Sequence, residues 1–187
     1  MPEFYQYALL MGKNPSDEWQ EGKVDGSGSI TFISHEHSKI HQGKFYSLGY
    51  SDAALGNGSS LVILATTNSY ELHTHITLAC GGDASFSVHE NPTITSNGSA
   101  ITPVNHNRTS SKTSTTTFYN TPTLSNNGTL IWSELIVGGS GGITPGGNNA
   151  QGIEQTVLAP NTSYVFTLTN TAGTTQPSQI ILSYYEV

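Results

Sequence analysis

Apolar and polar residues alternate along much of this chain, most clearly between residues 72 and 90. The apolar side of the first half consists of Leu72, Ile76, Leu78 and Cys80. After a Gly-Gly-Asp sequence the alternation resumes, and the apolar side then consists of Ala84, Phe86 and Val88. A period of two is typical of a β-strand with one buried face, so two such runs around a Gly-rich turn predict a β-hairpin.

The same pattern predicts further strands from residue 29 to the C-terminus. In order, the strand candidates are SITFIS (29–34), KFYSLGY (44–50), SLVILAT (60–66), ELHTHITLA (71–79), ASFSVHE (84–90), TLIWSELIV (129–137), SYVFTLTN (163–170) and QIILSYYE (179–186). Turn signals, among them Asn-Gly at 57–58, 97–98 and 127–128, stand between them. No helix of ordinary length is expected after residue 30. Strands at this spacing predict an all-β fold, an antiparallel two-sheet sandwich that is jelly-roll-like.

Two of the late strand candidates carry clear apolar faces. These faces consist of Tyr164, Phe166 and Leu168 in one strand and of Ile180, Leu182 and Tyr184 in the other. We expect the two faces to pack against each other across a sandwich core that is about 10 Å thick.

The chain divides into a short N-terminal arm or extension, residues 1–28, and one β-sandwich domain, residues 29–187. The arm holds five acidic residues and ends in the turn-rich sequence VDGSGS. Within the domain, a Ser/Thr-rich stretch (105–117) and a Gly-rich stretch (138–152) interrupt the strand pattern. Polar stretches this long are uncommon in compact domains, so each is either a contact region for neighbouring subunits or a mobile surface loop.

The charge of the chain excludes two classes of partner. Only six Lys and Arg residues are spread over 187 residues, and the formal net charge is −7, so we expect no binding to nucleic acid or to an anionic membrane. The 10% of charged residues is well below the usual value of about 25%. Such sparse charge suggests that neighbours cover part of the surface. The start of the chain resembles no signal peptide, so we expect synthesis in the cytoplasm.

Histidines are the strongest candidates for metal binding or catalysis. His35 and His37 form one H-x-H, with His41 four residues on, and His73 and His75 form another. On a strand, an H-x-H places both rings on one face and can chelate a metal ion. Cupins use this arrangement, but the later histidine that they require is missing from TPGGNNAQG. The simpler interpretation is that these histidines lie on an outer or inter-subunit face.

Other catalytic patterns are absent from the sequence. It contains no G-x-S-x-G elbow and no P-loop. The single cysteine, Cys80, is expected to be a buried, inert thiol. Trp132 lies in an apolar strand, which favours core packing over sugar binding. We therefore assign no catalytic, cofactor-binding or metal-ligating residues, and we expect no cofactor.

A resemblance to a known family rests on the order of several sequence phrases. They are ITFISHEHSKIHQGKFYSLGYSD, LHTHITLACGGDASFSVHE, NGSAITPVNHNRTSS, NNGTLIW, LAPNTSYVFTLTNTAG and IILSYYE. This order, over residues 29–187, resembles the small decoration (cement) proteins of tailed-bacteriophage virions. The resemblance implies a non-enzymatic β-sandwich subunit on the capsid exterior. Its implied partners are the major capsid protein and copies of itself, as a dimer or trimer.

Two other functions stay open at this level. A tail-fibre or receptor-binding β-module has the same β-rich and Gly/Thr-rich composition. A cupin-like metal enzyme, the third hypothesis, would bind a transition metal through His35 and His37.

Overall fold

The computed structural model describes residues 11–13, 19–21, 34–138 and 148–187, with the backbone alone for 11–13, 19–21 and 148–155. These residues form one short helix and fifteen strands. In chain order they are β1 (Met11–Lys13), β2 (Trp19–Glu21), α1 (His35–His41), β3 (Phe45–Leu55), β4 (Ser60–Thr66), β5 (Leu72–Cys80), β6 (Ala84–Glu90), β7 (Thr93–Ser96), β8 (Ser99–Ile101), β9 (Val104–Asn105), β10 (Thr117–Asn120), β11 (Thr123–Asn126), β12 (Thr129–Ile136), β13 (Asn148–Leu158), β14 (Ser163–Asn170) and β15 (Gln176–Glu186).

Two antiparallel sheets make up the body of the structure. The six-stranded sheet has the order β12-β6-β14-β4-β10-β8, and the five-stranded sheet has the order β13-β5-β15-β3-β9. From β3 to β6 and from β12 to β15, each long strand lies in the opposite sheet from the strand before it. The predicted antiparallel two-sheet sandwich is therefore confirmed, and the jelly roll specifically stays a prediction.

The core lies between the two sheets, as the alternation predicts. Strands β5, β6, β14 and β15 all bury every second side chain over most of their length. The two predicted apolar faces belong to one buried cluster, which also contains Cys80. Its largest fully buried side chains are Tyr184, Phe86, Phe118 and Phe166. Each of these aromatic rings removes a large apolar area from water.

The predicted hairpin at residues 72–90 is wrong, although both of its strands are present. Strand β5 pairs with β13 and β15, whereas β6 pairs with β12 and β14, so the connection crosses from one sheet to the other. Gly82 lies so close to Ala172 that a Cβ atom built on it would be 2.6 Å from the Ala172 Cβ. The glycines therefore permit close packing at a crossover instead of forming a hairpin turn.

Seven of the eight strand candidates coincide with strands of the structure, and the first does not. Residues 29–33 of that candidate lie outside the described residues, and Ser34 is the N-cap of α1. The Gly-rich stretch contributes residues 148–152 to β13, where a loop was expected. The boundary at residue 28 and most of the N-terminal arm also lie outside the described residues.

A long two-stranded ribbon, missed by the sequence prediction, joins the two edges of the six-stranded sheet. Residues 84–101 run antiparallel to residues 118–136 through the pairs β6–β12, β7–β11 and β8–β10. The first pair lies at one edge of the sheet and the last pair at the other edge. The ribbon thus braces both edges of the sheet.

Within the described part of the chain, no helix is long and apolar enough to cross a membrane. Helix α1 has only seven residues.

Candidate interaction surface on the edge strand β12

Strand β12 exposes an unusual number of large apolar side chains. It is the first strand of the six-stranded sheet, so one of its sides has no neighbouring strand among the described residues. We define the β12 edge surface as Leu130, Ile131, Trp132 and Leu135 of β12 together with Val137, which directly follows the strand. All five side chains are exposed, and Leu135 reaches 76%. Long apolar sheet edges readily associate with other chains, and most proteins prevent this by covering their edge strands or placing charged residues on them.

A β-bulge shapes the middle of this surface. The pairing of β12 with β6 shifts register between Leu130 and Trp132, which leaves Ile131 as an extra residue. Bulges of this kind locally twist a strand and redirect its side chains. Here Ile131 and Trp132 both line a cavity between the two sheets, although both are partly open to solvent.

The cavity has a volume of about 50 Å³ and opens beside the edge strands β12 and β13. Its lining consists of Thr74, Ile76, Val88, Ile131, Trp132, Thr156, Leu158 and Phe166. Among the described residues, no charged side chain lines it, and the polar side chains of the lining belong to Thr74, Thr156 and Trp132. The threonine hydroxyl of β5 is already engaged, since Thr74 Oγ1 donates to the Thr156 carbonyl at 2.9 Å. An apolar group therefore fits this cavity better than a charged one.

Tyr164 fixes the wall of the cavity at the end of β13. Its hydroxyl accepts a hydrogen bond from the Ala159 N–H at 2.9 Å and donates one to Glu90 Oε1 at 2.9 Å. Burial raises the pKa of Tyr164 above its usual value, so the hydroxyl keeps its proton for this bond. The neighbouring Leu158 is consequently held in place.

The expectation that Trp132 packs in the core is wrong, because the side chain is 45% exposed. The signal in the sequence was the uninterrupted run Leu130-Ile131-Trp132, which breaks the alternation. Such a run is compatible with a strand buried on both faces or with one that exposes apolar groups on an edge. Leu135 and Val137 give no such signal in the sequence. Leu135 pairs with Ser85, whose side chain alternates with the buried Ala84 and Phe86, so Leu135 lies on the outer face of the sheet.

The Ser/Thr-rich stretch is a loop between β9 and β10, and its end is held by a buried carboxylate. Glu186 Oε1 accepts hydrogen bonds from Ser114 Oγ, from the Thr115 N–H and from the Thr116 N–H, at 2.9, 2.8 and 2.9 Å. Tyr184 donates to Ser114 Oγ at 2.7 Å, and burial raises the pKa of Tyr184 far above its usual value. These contacts fix the loop to the sandwich.

The histidines of the two H-x-H motifs occupy two different kinds of element, a helix and a strand. His73 and His75 lie on β5 with their side chains away from the core, as predicted. The His73 ring stacks on Tyr185 at a centroid distance of 4.7 Å, and its Nδ1 lies 3.1 Å from the Tyr185 hydroxyl. Burial lowers the pKa of His73, and the nearby Glu71 partly opposes this effect.

The strand interpretation of His35 and His37 is wrong, because both residues belong to α1. On a helix, residues two apart do not face each other, so this H-x-H cannot form the cupin-like chelate. The ring of His35 lies 5.5 Å from that of Tyr185, whereas His37 faces His41. Among the described residues there is no cluster of three or more His, Cys, Asp or Glu side chains able to hold a metal ion.

No protein family, no curated protein and no solved structure matches this chain.

Proposed function

We propose that this chain is a non-enzymatic virion structural protein that binds the outer surface of a phage capsid and stabilises the shell. The observation that carries the proposal is the β12 edge surface, which presents five large apolar side chains on and just after a strand that has a neighbouring strand on only one side among the described residues. A protein that reinforces a shell needs a rigid body and an exposed adhesive surface. The sandwich supplies the body, and β12 supplies the surface.

The major capsid protein is the partner that we assign to this surface. An edge strand can extend the sheet of a partner, because its unpaired backbone groups form hydrogen bonds while its side chains enter apolar pockets. Glu134 is the only charged residue of β12, and it is half-buried. Sparse charge lowers the cost of removing this surface from water.

Two further parts of the proposal concern architecture. The strand-by-strand alternation of long strands between the two sheets supports a jelly roll, an architecture that capsid proteins commonly use. A symmetric homo-oligomer, either a dimer or a trimer, would place equivalent edges around a symmetry axis of the shell. The protein would therefore be located on the capsid exterior after synthesis in the host cytoplasm.

A receptor-binding module of a tail fibre is the second candidate, and the exposed Trp132 favours it. An indole ring beside a cavity can stack on a sugar ring. Sugar hydroxyls, however, require several polar partners, and the cavity offers few polar groups beyond its two threonines. The apolar edge therefore supports protein binding more strongly than glycan binding.

Attachment to shells tests the proposed surface directly. The Leu135→Ser variant should bind purified shells lacking this protein about tenfold or more weakly than the wild type, because burying a leucine contributes about 1.5–3 kcal/mol. The side chain is 76% exposed, so the substitution should leave the fold intact. Co-sedimentation with the shells measures the occupancy, and light scattering measures the mass of the free protein.

Val104→Ser provides a matched control. Val104 lies in β9, at an edge of the five-stranded sheet, and is 50% exposed. This control should attach like the wild type. Equal attachment of the Leu135→Ser variant would exclude β12 as the contact, and a lack of attachment by the wild type would contradict the capsid function itself.

A further inference from the structure

We propose that His37 and His41 form a two-histidine chelate for one divalent transition-metal ion. The two residues are four positions apart on α1 and therefore lie on the same side of the helix. Their Nε2 atoms are 2.9 Å apart, and their ring centroids are 4.7 Å apart. This pairing differs from the H-x-H of His35 and His37 that the sequence suggested.

The distance between the two nitrogens suits a shared ion. Since a bond from zinc to a histidine nitrogen is about 2.0–2.1 Å long, two nitrogens 2.9 Å apart subtend an angle of about 90° at one ion. That angle is the one between adjacent ligands in octahedral and square-planar sites, which Ni²⁺ and Cu²⁺ favour. Widening the distance to about 3.3 Å would give the tetrahedral angle that Zn²⁺ prefers.

The helix that carries the pair is held firmly against the sandwich. Ser34 caps its N-terminus by accepting from the His37 N–H at 3.2 Å. Lys39, only 7% exposed, places its ammonium group 5.9 Å from the centre of the Tyr185 ring. At the other end, Asn107 Nδ2 donates to the His41 carbonyl at 3.1 Å. The backbone under both rings is thus fixed before an ion arrives.

Both rings are exposed, so an ion can reach them from solvent. Without metal, the 2.9 Å contact is an N–H···N hydrogen bond in which one Nε2 donates and the other accepts. To bind the ion, the donor ring moves its proton to Nδ1 by exchange with water, so that both Nε2 lone pairs face the metal. Water fills the remaining coordination positions.

The test is a calorimetric titration of the full chain with Ni²⁺ alone, in a buffer that does not bind metals. The wild type should bind one ion per chain at this pair. His41→Ala and His37→Ala should each weaken binding by about 100-fold or more, because a single imidazole loses the effective-concentration advantage of the chelate. Far-UV circular dichroism verifies that both variants are folded.

Two control variants separate this site from the other histidine motifs. His35→Ala removes the other histidine of the first H-x-H, and His75→Ala removes an exposed histidine of β5. Both should bind Ni²⁺ like the wild type. A wild type without Ni²⁺ affinity, or a His41→Ala variant with unchanged affinity, would overturn the proposal. The pair lies on α1 and not on β12, so this result is independent of shell attachment.

Discussion

At the scale of single residues, Glu186 shows how one buried carboxylate organises a loop. Its Oε1 atom accepts two backbone N–H groups and one hydroxyl from residues 114–116, and the side chain is only 6% exposed. The sequence gives no sign of this role, because Glu186 lies about 70 positions from its partners. A long-range contact of this kind becomes visible only once the strands are paired.

Replacing Glu186 by Ala should lower the free energy of unfolding by about 2 kcal/mol or more, because buried donors lose their acceptor. Glu186→Gln keeps an acceptor oxygen, so its free energy of unfolding should fall by less. Urea unfolding measures both losses, and trypsin reports on the loop itself through Arg108 and Lys112. Equal stability and equal cleavage in Glu186→Ala and the wild type would show that the carboxylate does not hold the loop.

Trp132 marks the limit of sequence reasoning at this scale. The alternation correctly identifies the inward side chains of β5, β6, β14 and β15, because a half-buried strand must alternate. It fails for β12, since an apolar run has the same appearance on a buried strand and on an exposed edge. Whether a strand lies at an edge depends on the order of the whole sheet.

At the scale of elements, the ribbon contains an internal repeat with a structural cause. Residues 91–101 (NPTITSNGSAI) resemble residues 121–131 (TPTLSNNGTLI), and β7 in the first copy pairs with β11 in the second. Each copy begins with a residue of positive φ, Asn91 or Thr121. Each copy also has a glycine that packs against the backbone at the start of the other copy. Gly98 lies beside Asn120 and Thr121, and Gly128 lies beside Glu90 and Asn91.

These two glycines should be far less replaceable than a glycine in open space. Gly128 has φ +88°, and a Cβ atom there would lie 2.2 Å from the Glu90 carbonyl oxygen. Gly58 has φ +76° with no atom within 4 Å of an added Cβ. Backbone strain alone should therefore lower the free energy of unfolding of Gly58→Ala by about 1–2 kcal/mol. Gly128→Ala should suffer the same strain and, from the clash, an additional loss of about 1–3 kcal/mol.

Chemical denaturation of the two variants side by side measures this difference. The alanine at position 58 serves as the matched control, because both sites have a left-handed backbone. Similar losses at positions 58 and 128 would mean that the ribbon relaxes around the extra methyl group and does not brace the sheet rigidly.

The connection between β5 and β6 shows why local signals predict strands better than their partners. Both strands follow from the period of two, and the glycines between them are typical of a hairpin. The actual partners of β5 are β13 and β15, and its pairs with β15 join residues about 100 positions apart. The α1 helix was missed for a related reason, since a seven-residue helix carries too little periodicity to be recognised.

At the scale of the whole molecule, the sandwich follows from composition and pattern, whereas the candidate interaction surface follows from topology. Alternating strands with turn signals restrict the chain to two packed sheets. The strand order then places β12, with its exposed apolar side chains, at an edge. Neither the charge nor any motif of the sequence identifies that edge.

The central claim, that the chain reinforces a phage shell from outside, is tested most directly by its copy number in purified particles. Quantitative mass spectrometry gives the ratio of this chain to the major shell protein. A shell-reinforcing role requires a ratio approaching that of the shell protein itself. A handful of copies per particle, as expected of a tail fibre, or complete absence from the particles would contradict the account.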